Sequence, residues 1–364
     1  MKALLNKTKT WLNTNNHLLW TSIIALIVIG LMGVYFIGPY QATMSKFEPN
    51  IFFNKFWPFA LAGTVILFAF SKLSRKWIVR ISWVFGIIGL LLMLKTIIDP
   101  TVIFGSARYV KVGSAYVDPF MLSLPAYIVL MSHWLSKEKA NRILTAIGTT
   151  LLTLFIVGTA FVAPYVFMAQ IYLLVFVLLV CMSRKTNPGL FKIGIATFAG
   201  FVVLMAIAFF TMPHVHARIE LMFEPQMYSQ KWIALQALSN SAIIGNTTES
   251  IRWLATLPDS MTDYMLTSMI AKFGILVGLL VLALYGCIAK GLTNTIQTAN
   301  DKFSKLLTTG TFGLFAIYII AALGVAFGFV RAAAWWPFIG FGGTMFLTWC
   351  ILFGFMFAVN RKVK

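Results

Sequence analysis

Ten apolar stretches, most of them long enough to cross a bilayer, decide what this chain can become. They lie at roughly 18–38, 56–71, 77–98, 119–135, 143–162, 164–183, 190–212, 264–289, 308–329 and 338–359. A hydrocarbon core needs about 20 apolar residues per helix. The 56–71 and 119–135 stretches are short and call for tilt or partial interfacial placement. With 60% hydrophobic residues, 11% charged residues and a mean hydropathy of +0.87, an ordinary soluble domain is excluded. The expectation is an all-α polytopic membrane protein of about ten transmembrane helices, forming one integral membrane domain over residues 1–364. The polar, basic segment before Leu18 lacks a small-residue cleavage site, so the first stretch reads as an uncleaved helix.

A net charge of +19 would ordinarily raise the question of nucleic acid. Sidedness answers it. Counted over alternate connections, nineteen Lys and Arg fall on the side of the two termini and eight on the other; Lys95 and Lys272 lie within spans. The excess marks the cytoplasmic side. Both termini are therefore expected in the cytoplasm, with an even number of spans and no nucleic-acid partner. Carboxylates run the other way: among ten, only Glu138 and Asp301 fall inside. Acid–base chemistry belongs on the outer face. Cys181, Cys287 and Cys350 sit in or at the ends of spans, where they act as small hydrophobes.

Three outer connections are long: 39–55, 99–118 and 213–263. The last, between the seventh and eighth spans, far exceeds the usual loop length and is expected to carry function or its own structure. Within it, Trp232, Leu235 and Leu238 recur at helical spacing, predicting an interfacial helix over 228–239.

Four segments could carry chemistry. In 105–111, GSARYVK, Arg108 and Lys111 present cations at the outer surface. Arginine binds phosphate in a bidentate way, so a lipid-linked phosphate or ordinary headgroups would suit them. In 213–225, PHVHARIELMFEP, Arg218 and Glu224 could line a cleft. His214 and His216 point to different faces of a helix and no third His follows nearby, so no metal site is expected. In 257–264, LPDSMTDY, Asp259, Thr262 and Asp263 precede a span. Pro258 can open a helix, and the four-residue spacing would set both carboxylates on one face of its first turn, near the positive end of the helix. Capping accounts for one carboxylate more readily than for two. In 336–344, WPFIGFGGT, Gly342 and Gly343 would permit either close helix packing or backbone approach to a ligand.

In this order and on this side of the membrane, the four segments resemble those of the SEDS family (shape, elongation, division and sporulation), with a closer similarity to its FtsW-like than to its RodA-like members. LPDSMTDY resembles the family's Leu-Pro-Asp/Glu-x-His-Thr-Asp-Phe, PFIGFGGT its Pro-Phe-Ile-Ser-Tyr-Gly-Gly-Ser, and GSARYV its Gly-x-Arg-Arg-Trp-Ile. The resemblance spans nearly the whole chain. It implies a peptidoglycan glycosyltransferase of the bacterial inner membrane that polymerises lipid II, an undecaprenyl-pyrophosphate-linked disaccharide-peptide, during cell division. No cofactor is implied, and the sequence gives no indication of a divalent cation. A class B penicillin-binding transpeptidase is the implied partner.

The chain also departs from the family pattern. The essential Asp expected after an Asn-Pro or Asp-Pro in the large loop is missing from 223–228, FEPQMY. Glu224 is the nearest carboxylate. Asp118-Pro119 stands where the family has Gln-Pro-Ser-Glu, Ala163-Pro164-Tyr165 where it has Gln-Pro-Asp, and Ala271-Lys272 where it has Glu-Glu. Glu224 and Asp263 are thus the candidate catalytic bases. Arg108, Lys111, Arg218, Asp259, Thr262, Gly342 and Gly343 are the candidate substrate-binding residues. A catalytically silent scaffold that activates a cell-wall synthase, and a lipid-linked precursor transporter, are the alternative readings.

Overall fold

The computed structural model describes residues 17–103, 106–113, 115–137, 142–183, 188–211, 227, 229–329 and 334–361. Thirteen helices are described: α1 (His17–Met44), α2 (Ile51–Phe70), α3 (Arg75–Ile98), α4 (Pro119–Ser136), α5 (Arg142–Val162), α6 (Val166–Ser183), α7 (Pro188–Thr211), α8 (Gln230–Ser239), α9 (Thr248–Thr256), α10 (Met265–Phe273), α11 (Ile275–Thr298), α12 (Lys302–Ala326) and α13 (Gly343–Val359). The fold is that of a multi-pass membrane protein. Seven helices are long and apolar enough to cross a membrane: α1, α2, α3, α5, α6, α11 and α12. Of the ten expected spans, those at α4, α7 and α13 fall short of that measure in length or hydropathy among the described residues.

The reason α4 falls short is visible in its surroundings. It packs against α3, α5, α6, α12 and α13, and almost every residue from Pro119 to Leu135 is buried, Ser123 and Ser132 included. Asp118 caps it, accepting from the Met121 amide at 3.1 Å. Pro119 occupies the first helical position, where its missing N–H costs nothing. Hydroxyls in the bundle are mostly answered internally, because an unmatched polar group in an apolar interior is expensive. The Tyr127 and Thr153 hydroxyls lie 2.8 Å apart, and Tyr172 donates to the Phe120 carbonyl at 2.7 Å.

Two elements depart from the sequence expectations, and a third was not foreseen. The 99–118 connection is not a plain loop. It holds an antiparallel meander of β1 (Thr101–Ile103), β2 (Ser106–Val112) and β3 (Ala115–Val117), with β2 central. The eighth span is not one helix from 264 to 289. The nine-residue α10 is buried along most of its length and stops at Gly274, whose φ of 100° breaks the helix before α11 starts. There the 242–245 backbone is pinned against the break: Ile275 N donates to Ala242 O at 3.0 Å, and Gly245 N to Phe273 O at 2.9 Å. A Cβ at Gly274 would lie 2.6 Å from Ile243 O, so only glycine fits. Third, 257–264 forms successive turns rather than the first turn of a helix, with Asp259 itself at φ 54°. The turns win because Asp tolerates the left-handed region that Pro258-Asp259-Ser260 needs here.

The helix expected over 228–239 is present as α8, starting at Gln230. Ser229 caps it, accepting from Trp232 N at 3.3 Å. The companion helix α9 is closed by a capping box between Thr247 and Ser250. Trp232 and Trp253 meet edge to face across the pair, their ring centroids 5.0 Å apart.

Candidate functional site

Among the described residues, Arg108 is the centre of the cluster that joins several of the candidate segments. It projects from β2, half-buried, and its guanidinium carbon lies 4.8 Å from the Tyr109 ring centroid and 4.7 Å from that of Tyr165. One Nη donates to the Tyr109 hydroxyl at 2.8 Å. Its Nε is shut off from solvent and has no partner among the described residues. Tyr165 comes from the corner between α5 and α6 and is buried. Asp118, the buried cap of α4, shares a side-chain hydrogen bond with Tyr165 and feels the charge of Arg108. Burial pushes the Asp118 carboxyl up to about 6, against the pull of Arg108 and of the backbone amides it caps.

The 257–264 turns bring two further carboxylates into the field of Arg108. Asp259 is exposed and accepts from Gln230 Nε2 of α8 at 3.3 Å. Asp263 is half-buried, with Oδ1 shielded from solvent and without a partner among the described residues. Burial raises the Asp263 carboxyl to about 8. Repulsion from Asp259 adds to this, while Arg108 and a hydrogen bond from Trp335 oppose it. The same segment is tied down on its far side. Ser260 donates to Gln41 Oε1 at 2.9 Å, and the Phe341 amide donates to Met261 O at 2.7 Å.

The structure thus brings Arg108, Asp259 and Asp263 together and adds Tyr109, Asp118, Tyr165, Gln230 and Trp335. Thr262 lies beside them, its hydroxyl donating to the Asp259 carbonyl at 3.2 Å. Lys111 is exposed on the same strand as Arg108. Glu224, Arg218, His214, His216 and Glu220 lie outside the described residues. At Gly342 and Gly343 the space a side chain would fill is taken by aromatic rings. A Cβ would meet Trp335 at 2.7 Å from Gly342, and Phe59 at 2.8 Å from Gly343. Gly342 thereby lets Trp335 sit where it reaches Asp263. Lys272, which with Ala271 stands where the family pattern has Glu-Glu, donates to the Tyr40 hydroxyl at 2.8 Å.

Chemically, the cluster offers a fixed guanidinium with an unused buried N–H and a carboxyl of raised basicity with an unused buried oxygen. Such unmatched buried groups are uncommon unless something binds them. A perturbed acid beside a cation is the pairing expected where a proton is taken while an anion is stabilised. Among the described residues, no group of His, Cys, Asp and Glu is arranged to hold a metal ion.

The comparisons with known proteins agree with this architecture. In Caulobacter vibrioides, the probable peptidoglycan glycosyltransferase FtsW is 21% identical over 358 residues, covering 97% of this chain and 90% of the relative. The Bacillus subtilis protein of the same description is 22% identical over 375 residues, covering 98% and 93%. Among solved structures, a chain of a peptidoglycan synthase complex superposes with a TM-score of 0.75 at 17% identity, covering 95% of this chain and 97% of that one. The rod shape determining protein RodA of Thermus thermophilus superposes with a TM-score of 0.69 at 17% identity, covering 96% and 98%. The profile of the FtsW, RodA and SpoVE cell cycle proteins matches residues 16–364. The chain belongs to that family.

Proposed function

We propose that this protein is a peptidoglycan glycosyltransferase of the FtsW type, polymerising lipid II during cell division in the bacterial cytoplasmic membrane. Both termini lie in the cytoplasm in this reading and the Arg108 cluster faces outward. A class B penicillin-binding transpeptidase is the partner. The observation that carries it is the presence of Arg108 and Asp263 in one electrostatic cluster, the Arg108 Nε and the Asp263 Oδ1 each buried without a partner among the described residues. The named relatives supply the substrate class.

In the reaction, the 4-hydroxyl of one sugar attacks the anomeric carbon of the other. The bond from that carbon to the lipid pyrophosphate breaks, and the hydroxyl proton passes to Asp263. Arg108 stabilises the negative charge that grows on the departing pyrophosphate. With an ionisation near 8, about a tenth of Asp263 is charged at pH 7. Glu224 is the second candidate for this proton, taking the role the family gives to its loop aspartate.

The test is lipid II polymerisation by the purified protein with its transpeptidase, comparing wild type, Asp263→Ala and Glu224→Ala. Loss of glycan strands in one variant, with the other active, identifies the base. One feature favours a second reading: no aspartate occurs in 223–228. Absence of strands from wild type, while the transpeptidase still co-purifies, would make the protein a scaffold and overturn the enzymatic reading. Transport is less well supported, since Lys95 is exposed and paired with Asp99 at 3.5 Å, while Lys272 is held by Tyr40.

A further inference from the structure

Arg108 is held in an unusual way. Among the described residues no carboxylate forms an ion pair with it, and two phenol rings lie within 5 Å of its guanidinium carbon instead. Stacking against rings restrains the plane of a guanidinium and leaves its N–H edge available. One Nη is spent on the Tyr109 hydroxyl at 2.8 Å, while the buried Nε has no partner among the described residues. Compensating charge comes mainly from Asp118, one residue outside the α4 helix it caps, with the exposed Asp259 carboxyl also in its field.

The second ring is itself fixed. Tyr165 is 5% exposed, its amide donates to Ala160 O at 2.8 Å, and its ring meets Phe120 edge to face at 5.9 Å. Phe120 lies two residues past Asp118, so one short segment supplies both the carboxylate that acts on Tyr165 and the ring that backs it. Tyr109 is placed by its position on the central strand of the meander, next to Arg108.

We infer that Tyr109 and Tyr165 are positioning residues that clamp Arg108 so that its free edge meets a pyrophosphate. This rests on the glycosyltransferase reading for the source of the pyrophosphate but not for its chemistry. A planar, pre-oriented edge suits two phosphate oxygens at once, which a lysine ammonium would not reproduce. The ring of Tyr165, rather than its hydroxyl, is the part that acts on Arg108.

The experiment is calorimetric titration of the purified protein in detergent with inorganic pyrophosphate and with a polyprenyl pyrophosphate. Lipid II polymerisation is followed in parallel, and thermal melting checks that each variant is folded. Tyr165→Leu and Arg108→Lys should each weaken pyrophosphate binding at least about tenfold, while Tyr165→Phe stays within about threefold of wild type. In polymerisation, Tyr165→Leu should raise KM more than it lowers kcat. The inference is overturned if folded Tyr165→Leu or Arg108→Lys binds as wild type does, if Tyr165→Phe is as impaired as Tyr165→Leu, or if wild type binds neither probe. Tight binding of both probes alike supports recognition of the pyrophosphate itself. Wild type that binds pyrophosphate through the clamp yet makes no glycan would refute the glycosyltransferase reading and leave the clamp standing.

Discussion

The Phe341 amide donates to the Met261 carbonyl at 2.7 Å, so the segment that opens α13 is bonded directly to the turns that carry Asp259 and Asp263. Beside that bond, Trp335 reaches Asp263 and packs over the bare backbone of Gly342. Two stretches far apart in sequence form one support for one carboxyl group.

If Asp263 takes the proton, polymerisation should rise with pH and level off above an apparent pKa near 8. Asp263→Asn should abolish that rise. A pH–rate profile between 6 and 9 that is flat in wild type would rule out Asp263 as the base.

The same carboxyl governs a stability difference of opposite sense. The folded protein holds this proton more tightly than an unfolded chain, whose group ionises near 3.8. Its contribution to stability is therefore complete below about pH 4 and lost as pH rises through about 8. Asp263→Asn should melt higher than wild type at pH 9, and the gap should close toward pH 5. Melting curves in detergent at the two pH values provide the check.

Gly342→Ala should displace Trp335, because the added methyl would stand 2.7 Å from its ring. The expected result is a loss of about tenfold in polymerisation rate, or ~1.4 kcal/mol in the barrier. Because the Trp335 hydrogen bond opposes the upward shift of Asp263, the apparent pKa should also move upward. An unchanged pH–rate profile would show that Trp335 does not act through Asp263.

Gly30→Ala is expected to destabilise the protein by about 1–3 kcal/mol. Its Cβ would come within 2.6 Å of Ile339 Cα and 2.8 Å of Phe338 O, and backbone cannot swing aside. Gly158→Ala in α5 meets nothing within 4 Å and should be neutral or add about 0.5–1 kcal/mol. Denaturation of the two variants side by side tests the contrast.

Asp301 separates a cap from an ion pair. It accepts from Phe303 N and Ser304 N at the start of α12 and pairs with Arg75 at 3.1 Å on a half-exposed surface. Asp301→Ala should cost about 1 kcal/mol through the lost cap. Asp301→Asn, which keeps a capping oxygen, should cost less than that, because exposed ion pairs contribute little. Equal losses in the two variants would assign the stabilisation to the ion pair.

Much of this architecture was legible because the bilayer leaves few options. Long apolar runs become helices whatever their neighbours, so the described helices outside the 213–263 connection lie close to the apolar stretches. The β meander was not legible: Arg108, Tyr109 and Val110 alternate, but over too few residues to separate a strand from a loop. The break at Gly274 was hidden inside an apolar run, since hydropathy is blind to a single positive φ. In the site, Arg108, Asp259 and Asp263 were readable from scarcity, as charges where few are tolerated. Asp118 carried a signal of its own, an Asp-Pro pair ahead of an apolar run, which marks a cap. Tyr165 carried only its place in the Ala-Pro-Tyr that stands where the family has Gln-Pro-Asp. Its part depends on a corner between α5 and α6 meeting a strand before α4, a contact that no local pattern encodes.

The nearly complete enclosure of α4 bears on how the protein is made. A segment with two prolines, buried serines and a tyrosine that needs Thr153 of α5 for its hydroxyl is poorly suited to lie alone among lipid chains. It acquires suitable company only when α5 and α6, and later α12 and α13, arrive beside it. Biogenesis of this chain is thus ordered from within: the helix at its middle is synthesised early and becomes at home in the membrane late.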